Sequence, residues 1–177
     1  TPVPSLREAG TTVGLGLDDH YWHDSSDLLG EARQARLAAN LSFGTNQFHS
    51  VELVRMLTIE GARALGVEDE LGSIEPGKRA DLIVLDLSAP KFAPKTNIPA
   101  LVANTATAAD VESTIVDGEV LMHDNEVWSL SPEEVCNQAE TAVERFSDAS
   151  GWEIDIGGSD HPSHLRTARD LPKRGPA

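Results

Sequence analysis

Apolar and polar positions divide this chain into segments of different period. Residues 13–17 form a short apolar run, Val-Gly-Leu-Gly-Leu, that stops abruptly at Asp18-Asp19 and a loop of histidines, aromatics and acids reaching Asp27. Such a run predicts a buried strand that delivers polar side chains to its end, where many α/β enzymes keep their chemistry. Upstream, residues 2–9 suggest a helix that enters a turn at Gly10. Downstream, Leu28, Leu29, Ala32, Ala35 and Ala39 recur at helical spacing, predicting a helix capped by Ser25 or Ser26 and running to Leu41. A second helix follows a loop over 42–49, with Ser50 as cap and Val51, Val54 and Leu57 inward. Gly61 divides it and Gly66 stops it.

The pattern then changes period. Glu75-Pro76-Gly77-Lys78 reads as a turn and 80–86 as a strong strand. A proline-rich connection, 90–99, leads to a strand over 111–116, a hairpin turn at Asp117-Gly118, and a return strand over 119–122. Ser131-Pro132-Glu133-Glu134 opens a last helix, with Ser131 as cap, Pro132 in the first helical position and Glu134 closing a capping box. Val135, Ala139, Ala142 and Phe146 continue it at helical spacing. Residues 151–177 read as an irregular tail with a basic patch over 166–174.

Charge and composition narrow the function classes. Acids outnumber bases 29 to 14, a formal charge of -15. That surface repels nucleic acid and anionic membranes. With only four lysines and acids spread along the chain, it suits a protein adapted to high salt, where screening removes self-repulsion. The single Cys136 excludes an internal disulfide framework and fits a reducing, cytoplasmic compartment. No apolar run approaches the roughly 20 residues that span a bilayer.

Candidate chemistry gathers after residue 17. Asp18 and Asp19 can ligate a metal ion or move a proton from a metal-bound water. His20 and His23, three apart, form a weak zinc-ligand pattern and read better as surface residues or contacts to a substrate. Tyr21 and Trp22 beside them can wall a pocket for a flat ring. His49, His161 and His164 read as structural or solvated. No phosphate-binding glycine loop, nucleophile elbow or Cys-x-x-Cys pair occurs.

Three segments carry a family likeness: GLGLDD at 14–19, MLTIEGARALGVEDELGSIEPGKRADLIVLDL at 56–87, and VESTIVDGEVLMHDNEV at 111–127. Over 2–152 the chain resembles the C-terminal part of the amidohydrolase superfamily. The likeness is to the branch of triazine chlorohydrolases and cytosine, guanine and adenosine-type deaminases. It implies an α/β fold, the closing portion of a metal-dependent (β/α)8 TIM barrel plus part of an accessory β-sandwich. Residues 1–69 would be the last barrel strand and closing helices, 70–127 the sandwich share, 128–150 a C-terminal helix and 151–177 the tail.

By that resemblance Asp18 is the catalytic aspartate and a metal ligand, with Asp19 as second choice and His20, Tyr21, Trp22 and His23 lining the substrate pocket. The implied cofactor is a divalent metal, zinc by default with iron as the alternative, most of whose ligands lie outside this sequence. The implied partners are a small-molecule substrate and a missing N-terminal barrel portion, since a barrel takes roughly 250 residues. Homo-oligomer formation is left open. The implied reaction is hydrolysis of C–N, or in some relatives C–Cl, bonds in heteroaromatic or cyclic amidine substrates. Two alternatives remain: hydrolysis of cyclic amides, as in imidazolonepropionase- or dihydropyrimidinase-like members, and a non-catalytic remnant serving as a structural or interaction module.

Such a fragment exposes a barrel edge beside residues 12–17, a surface prone to pairing with other chains. Expressed alone in low salt, this sequence is expected to aggregate, as light scattering would record; a monodisperse, cooperatively unfolding monomer would contradict that.

Overall fold

The structure, a computed structural model, describes residues 2–18 and 25–151. The chain divides into two units, residues 1–129 and 130–177. Unit 1 begins with four helices: α1 (Val3–Glu8), α2 (Leu28–Phe43), α3 (Ser50–Leu57) and α4 (Ile59–Leu65). A four-stranded antiparallel sheet follows, β1 (Leu82–Leu85), β2 (Val111–Val116), β3 (Glu119–His123) and β4 (Glu126–Val127), in the order β1-β2-β3-β4. Helix α5 (Ile98–Asn104) sits in the connection between β1 and β2.

The turns explain the meander. Asp117 and Gly118 both have positive φ, 53° and 81°, the backbone of a two-residue hairpin turn whose twist matches the strands. Asp124 and Asn125 repeat the device, with φ of 49° and 64°, between β3 and β4. Register follows: Ile115 faces Val120 and Thr114 faces Met122 across β2 and β3. Leu82 faces Ile115 across β1 and β2. Gly66 caps α4 in the left-handed region, φ 73°, as its position in the sequence predicts.

Several predicted boundaries shift. Asp27, not Ser25 or Ser26, caps α2: its Oδ1 accepts the Gly30 N–H at 3.0 Å, and the helix extends to Phe43. The same Oδ1 accepts the Ala108 N–H at 3.1 Å, tying the start of α2 to the turn that precedes β2. His49 rather than Ser50 stands at the α3 N-cap, where its N–H donates to the Glu52 carboxylate at 2.7 Å. Val51 is exposed, and Leu53 and Met56 take the buried positions. The α3–α4 break falls at Thr58, with φ -127° and ψ -105°, three residues before Gly61. The connection over 90–99 ends inside α5, which Asn97 caps by accepting the Ala100 N–H at 3.1 Å.

The largest departure concerns residues 13–17, expected as a strand. They belong to no ladder. A strand needs a neighbour, and among the described residues the sheet is built entirely from residues 82–127. Val13 and Leu15 instead pack on the helical core of Ala32, Phe48, Leu53 and Met56. A second core, around Leu29, Phe92 and Ala106, joins the helices to Leu85 and Val111 of the sheet. Leu57 touches both.

One charged group is buried with the core. Glu60, at the start of α4, accepts hydrogen bonds from Arg7 of α1 and, at 3.2 Å, from Arg55 of α3. Burial pushes the Glu60 carboxyl up, but the two guanidiniums together outweigh it and hold it below the usual carboxylate range.

Unit 2 opens with α6 (Pro132–Ser150), whose N-cap Ser131 accepts the Glu134 N–H at 3.3 Å, as predicted. Gly151 caps its other end in the left-handed region, φ 71°.

Two stability measurements follow. Glu60→Gln should lower unfolding stability at neutral pH by about 1–3 kcal/mol, less than a fully buried pair because Arg55 is half exposed. The wild-type pair contributes fully above the ordinary Glu value of 4.5 and loses its contribution as pH falls through the lowered native value. Urea titrations across that range should therefore show the deficit of Glu60→Gln shrinking toward low pH. Asp27→Ala removes a cap and strands the Ala108 N–H, and should cost about 1–2 kcal/mol by the same assay.

Candidate active site

Asp18 is exposed, with φ 57°. A non-glycine residue rarely takes that left-handed backbone, although Asp does so more readily than most, and such outliers cluster at functional sites. The geometry turns the chain sharply where the apolar run meets the polar loop. Asp19, His20, Tyr21, Trp22 and His23, the remaining residues predicted for the site, lie outside the described residues.

The segment leading to Asp18 is seated on the break between α3 and α4. Helix α3 ends at Leu57, so the Met56 carbonyl is among the last four that a helix leaves without an intrahelical donor. The Leu15 N–H donates to it at 3.1 Å. One residue earlier, Gly14 lies against Gly61: a Cβ added to Gly14 would sit 2.8 Å from the Gly61 Cα and 3.4 Å from its N. The approach is therefore backbone on backbone. Gly61, predicted only as a helix breaker, serves as the flat surface of this contact. A glycine inside an apolar run signals close backbone approach, so Gly14 was readable in kind though not in partner.

A catalytic zinc site takes about three protein ligands and leaves a position open. Asp18 supplies one carboxylate of the right chemistry, and among the described residues no histidine, cysteine or acid joins it in a ligand group. The described residues alone therefore do not make a complete centre around Asp18. Three ligand-type groups do meet on the sheet, where atoms of Glu112, His123 and Asp124 lie within 4.8 Å of one another. His123 Nδ1 pairs with the Ser113 hydroxyl at 2.9 Å, and its Nε2 lies 3.7 Å from Asp124. Glu112 is on β2, His123 ends β3 and Asp124 opens the β3–β4 turn, so none lies on the segment that carries Asp18.

A cleft of about 530 Å³ opens between α2, α3 and the sheet, walled by Leu29, Leu57, Ile83, Leu85 and Met122. Its lining is almost wholly aliphatic, with the Asp27 carboxylate already engaged, and Asp18 is not part of it. It is a seam between helices and sheet rather than a place for chemistry.

Comparison with known proteins shows what the chain is similar to. The chain is 37% identical over 139 residues to a 5-methylthioadenosine/S-adenosylhomocysteine deaminase of Desulfitobacterium hafniense, covering 78% of this chain and 32% of that protein. It is 36% identical over 146 residues to a 5'-deoxyadenosine deaminase of Methanosarcina acetivorans, covering 82% and 33%. Its fold superposes on a zinc-bound adenosine deaminase from Xanthomonas campestris with a TM-score of 0.78 and 27% identity, over 81% of this chain and 33% of that one. It superposes on a zinc complex of atrazine chlorohydrolase from Arthrobacter aurescens with a TM-score of 0.72 and 26% identity, over 79% and 31%. The chain thus spans about a third of the length of these relatives. The sequence model of the Amidohydrolase family matches residues 1–121, and the chain belongs to that family.

Proposed function

We propose that this chain is the C-terminal portion of a metal-dependent deaminase that hydrolyses the exocyclic C–N bond of a 6-aminopurine nucleoside modified at its 5' position. The observation that carries the reading is Asp18, exposed and sharply turned at the end of a segment seated on the helices. The relatives named as deaminases of 5-methylthioadenosine, S-adenosylhomocysteine and 5'-deoxyadenosine support the substrate class.

In this reading residues 1–69 close a barrel, 70–127 contribute to a sandwich, 128–150 form a terminal helix and 151–177 a tail. The share still to come is an N-terminal portion bearing the remaining metal ligands. Apolar side chains left uncovered support that division: Leu41 is 90% exposed on α2, and Ile83 51% on the edge strand β1. The dispersed acid excess supports a high-salt setting, and the lone Cys136 a reducing, cytoplasmic one.

A divalent metal, with zinc favoured by the zinc-bound structural relatives, supplies a water of lowered pKa when bound. Asp18 would hold one side of that centre, and its carboxylate oxygen would take a proton from the attacking water and deliver it to the amino nitrogen, which leaves as ammonia. Water adds its oxygen to the ring carbon and the C–N bond breaks, so no further reactant is needed. His20, Tyr21, Trp22 and His23 are the residues that would line the pocket for the purine, with Asp19 as the second-choice acid.

The test uses the complete reading frame that contains this chain. Purified protein is expected to release ammonia from 5'-methylthioadenosine, S-adenosylhomocysteine or 5'-deoxyadenosine, and Asp18→Asn to lower kcat by about a thousandfold. Chloride release from a triazine without ammonia release, or an unaffected Asp18→Asn, would overturn the assignment.

A further inference from the structure

The seat beneath residues 13–18 has a functional consequence that family membership does not supply. We propose that Gly14 and Gly61 are positioning residues that set where Asp18 stands, an inference that rests on Asp18 carrying the reaction.

Three observations meet at this seat. First, the contact has no side chain in it: the nearest atoms to a Cβ on Gly14 are the Gly61 Cα and N and the Met56 O, all main chain. A side chain can rotate away from a collision, but a helix backbone can only be displaced. Second, the contact is directional. The Leu15 N–H donates to the Met56 carbonyl, which is free because Thr58 interrupts the helical ladder one turn before Gly61. Third, Asp18 follows Gly14 by four residues, and its own φ of 57° fixes the angle at which it leaves the segment.

The size of the effect comes from the distance. An added methyl at Gly14 would lie 2.8 Å from the Gly61 Cα, whereas ordinary contact begins at 3.4 Å. Relieving the collision lifts the segment by about 0.6 Å or more, approaching the 1 Å scale at which misplacing a reacting group costs about a hundredfold in rate. A methyl at Gly61 meets only the Met56 O, at 3.3 Å, so it nudges the acceptor of the Leu15 N–H by a few tenths of an ångström and leaves the contact itself in place. The two glycines should therefore behave unequally.

The experiment uses the complete protein and compares Gly14→Ala and Gly61→Ala with Gly118→Ala, which strains the positive-φ turn between β2 and β3 and so weakens the fold away from the seat. Gly14→Ala is expected to lower kcat by about 30- to 100-fold with KM within twofold. Gly61→Ala should lower it about two- to fivefold, and Gly118→Ala should leave kcat per folded molecule unchanged. Cobalt(II) reconstitution gives a readout apart from turnover: the visible bands of Gly14→Ala should differ from wild type, and those of Gly118→Ala should not. Equal kcat losses in all three variants, tracking their thermal midpoints, would reduce the glycines to stability and overturn the proposal. So would a Gly14→Ala protein with wild-type kcat and spectrum. If Gly14→Ala does not fold, an unchanged kcat in Gly61→Ala overturns it equally. A wild-type protein that turns over none of the nucleosides removes the proposed function, and the cobalt spectra then still decide whether the seat sets Asp18.

Discussion

The N–H and C=O groups of an apolar segment must be satisfied even where no neighbouring strand is at hand. Residues 13–17 meet that demand against a helix break: the Leu15 N–H takes a carbonyl that α3 cannot use, and Gly14 drops onto Gly61 where a side chain would have held it off. Had α3 and α4 been one continuous helix, Met56 O would be engaged within it and the seat would not exist. The interruption at Thr58 is thus a docking feature rather than a flaw in the helix.

Around that seat, electrostatics and packing divide the labour. Arg7, Arg55 and Glu60 lace α1 to the α3–α4 junction, so the chain entering the segment and the surface receiving it are held by one charged cluster. On the far side of the site loop, Asp27 grips both the start of α2 and the turn before β2. The described residues before and after the site loop are therefore tied down, by the Leu15 main-chain hydrogen bond on one side and the Asp27 carboxylate on the other, while the apolar cores around Leu53 and Phe92 provide most of the burial.

How much of this was legible depended on how local each feature is. The turns at Gly66 and Asp117-Gly118 and the cap at Ser131 follow from residues within a few positions of one another, and they stand where the sequence places them. Asp18 was singled out by the abrupt change after Leu17 and by the family likeness, and its role is the proposal made above. Helix α5 was hidden because Pro99 reads as part of a connection, although the first turn of a helix tolerates proline. Ser25 and Ser26 lost the cap of α2 to Asp27 because Asp27 also serves Ala108, 81 residues away. The strand expected over 13–17 lacks a ladder for the same kind of reason, since pairing depends on chain far off in sequence.

Lys78 shows how this acidic molecule orders a loop. Its ammonium, mostly buried, donates to the carbonyls of Glu68 and Leu71 and to the Ser73 hydroxyl, with the Glu75 carboxylate 3.7 Å away. Converging oxygens of this kind are what a bound calcium ion gathers in many loop-rich proteins. Here the cation is attached to the chain itself. Residues 68–78 therefore hold their shape with a built-in counter-ion, one that no chelator removes and no competing salt exchanges.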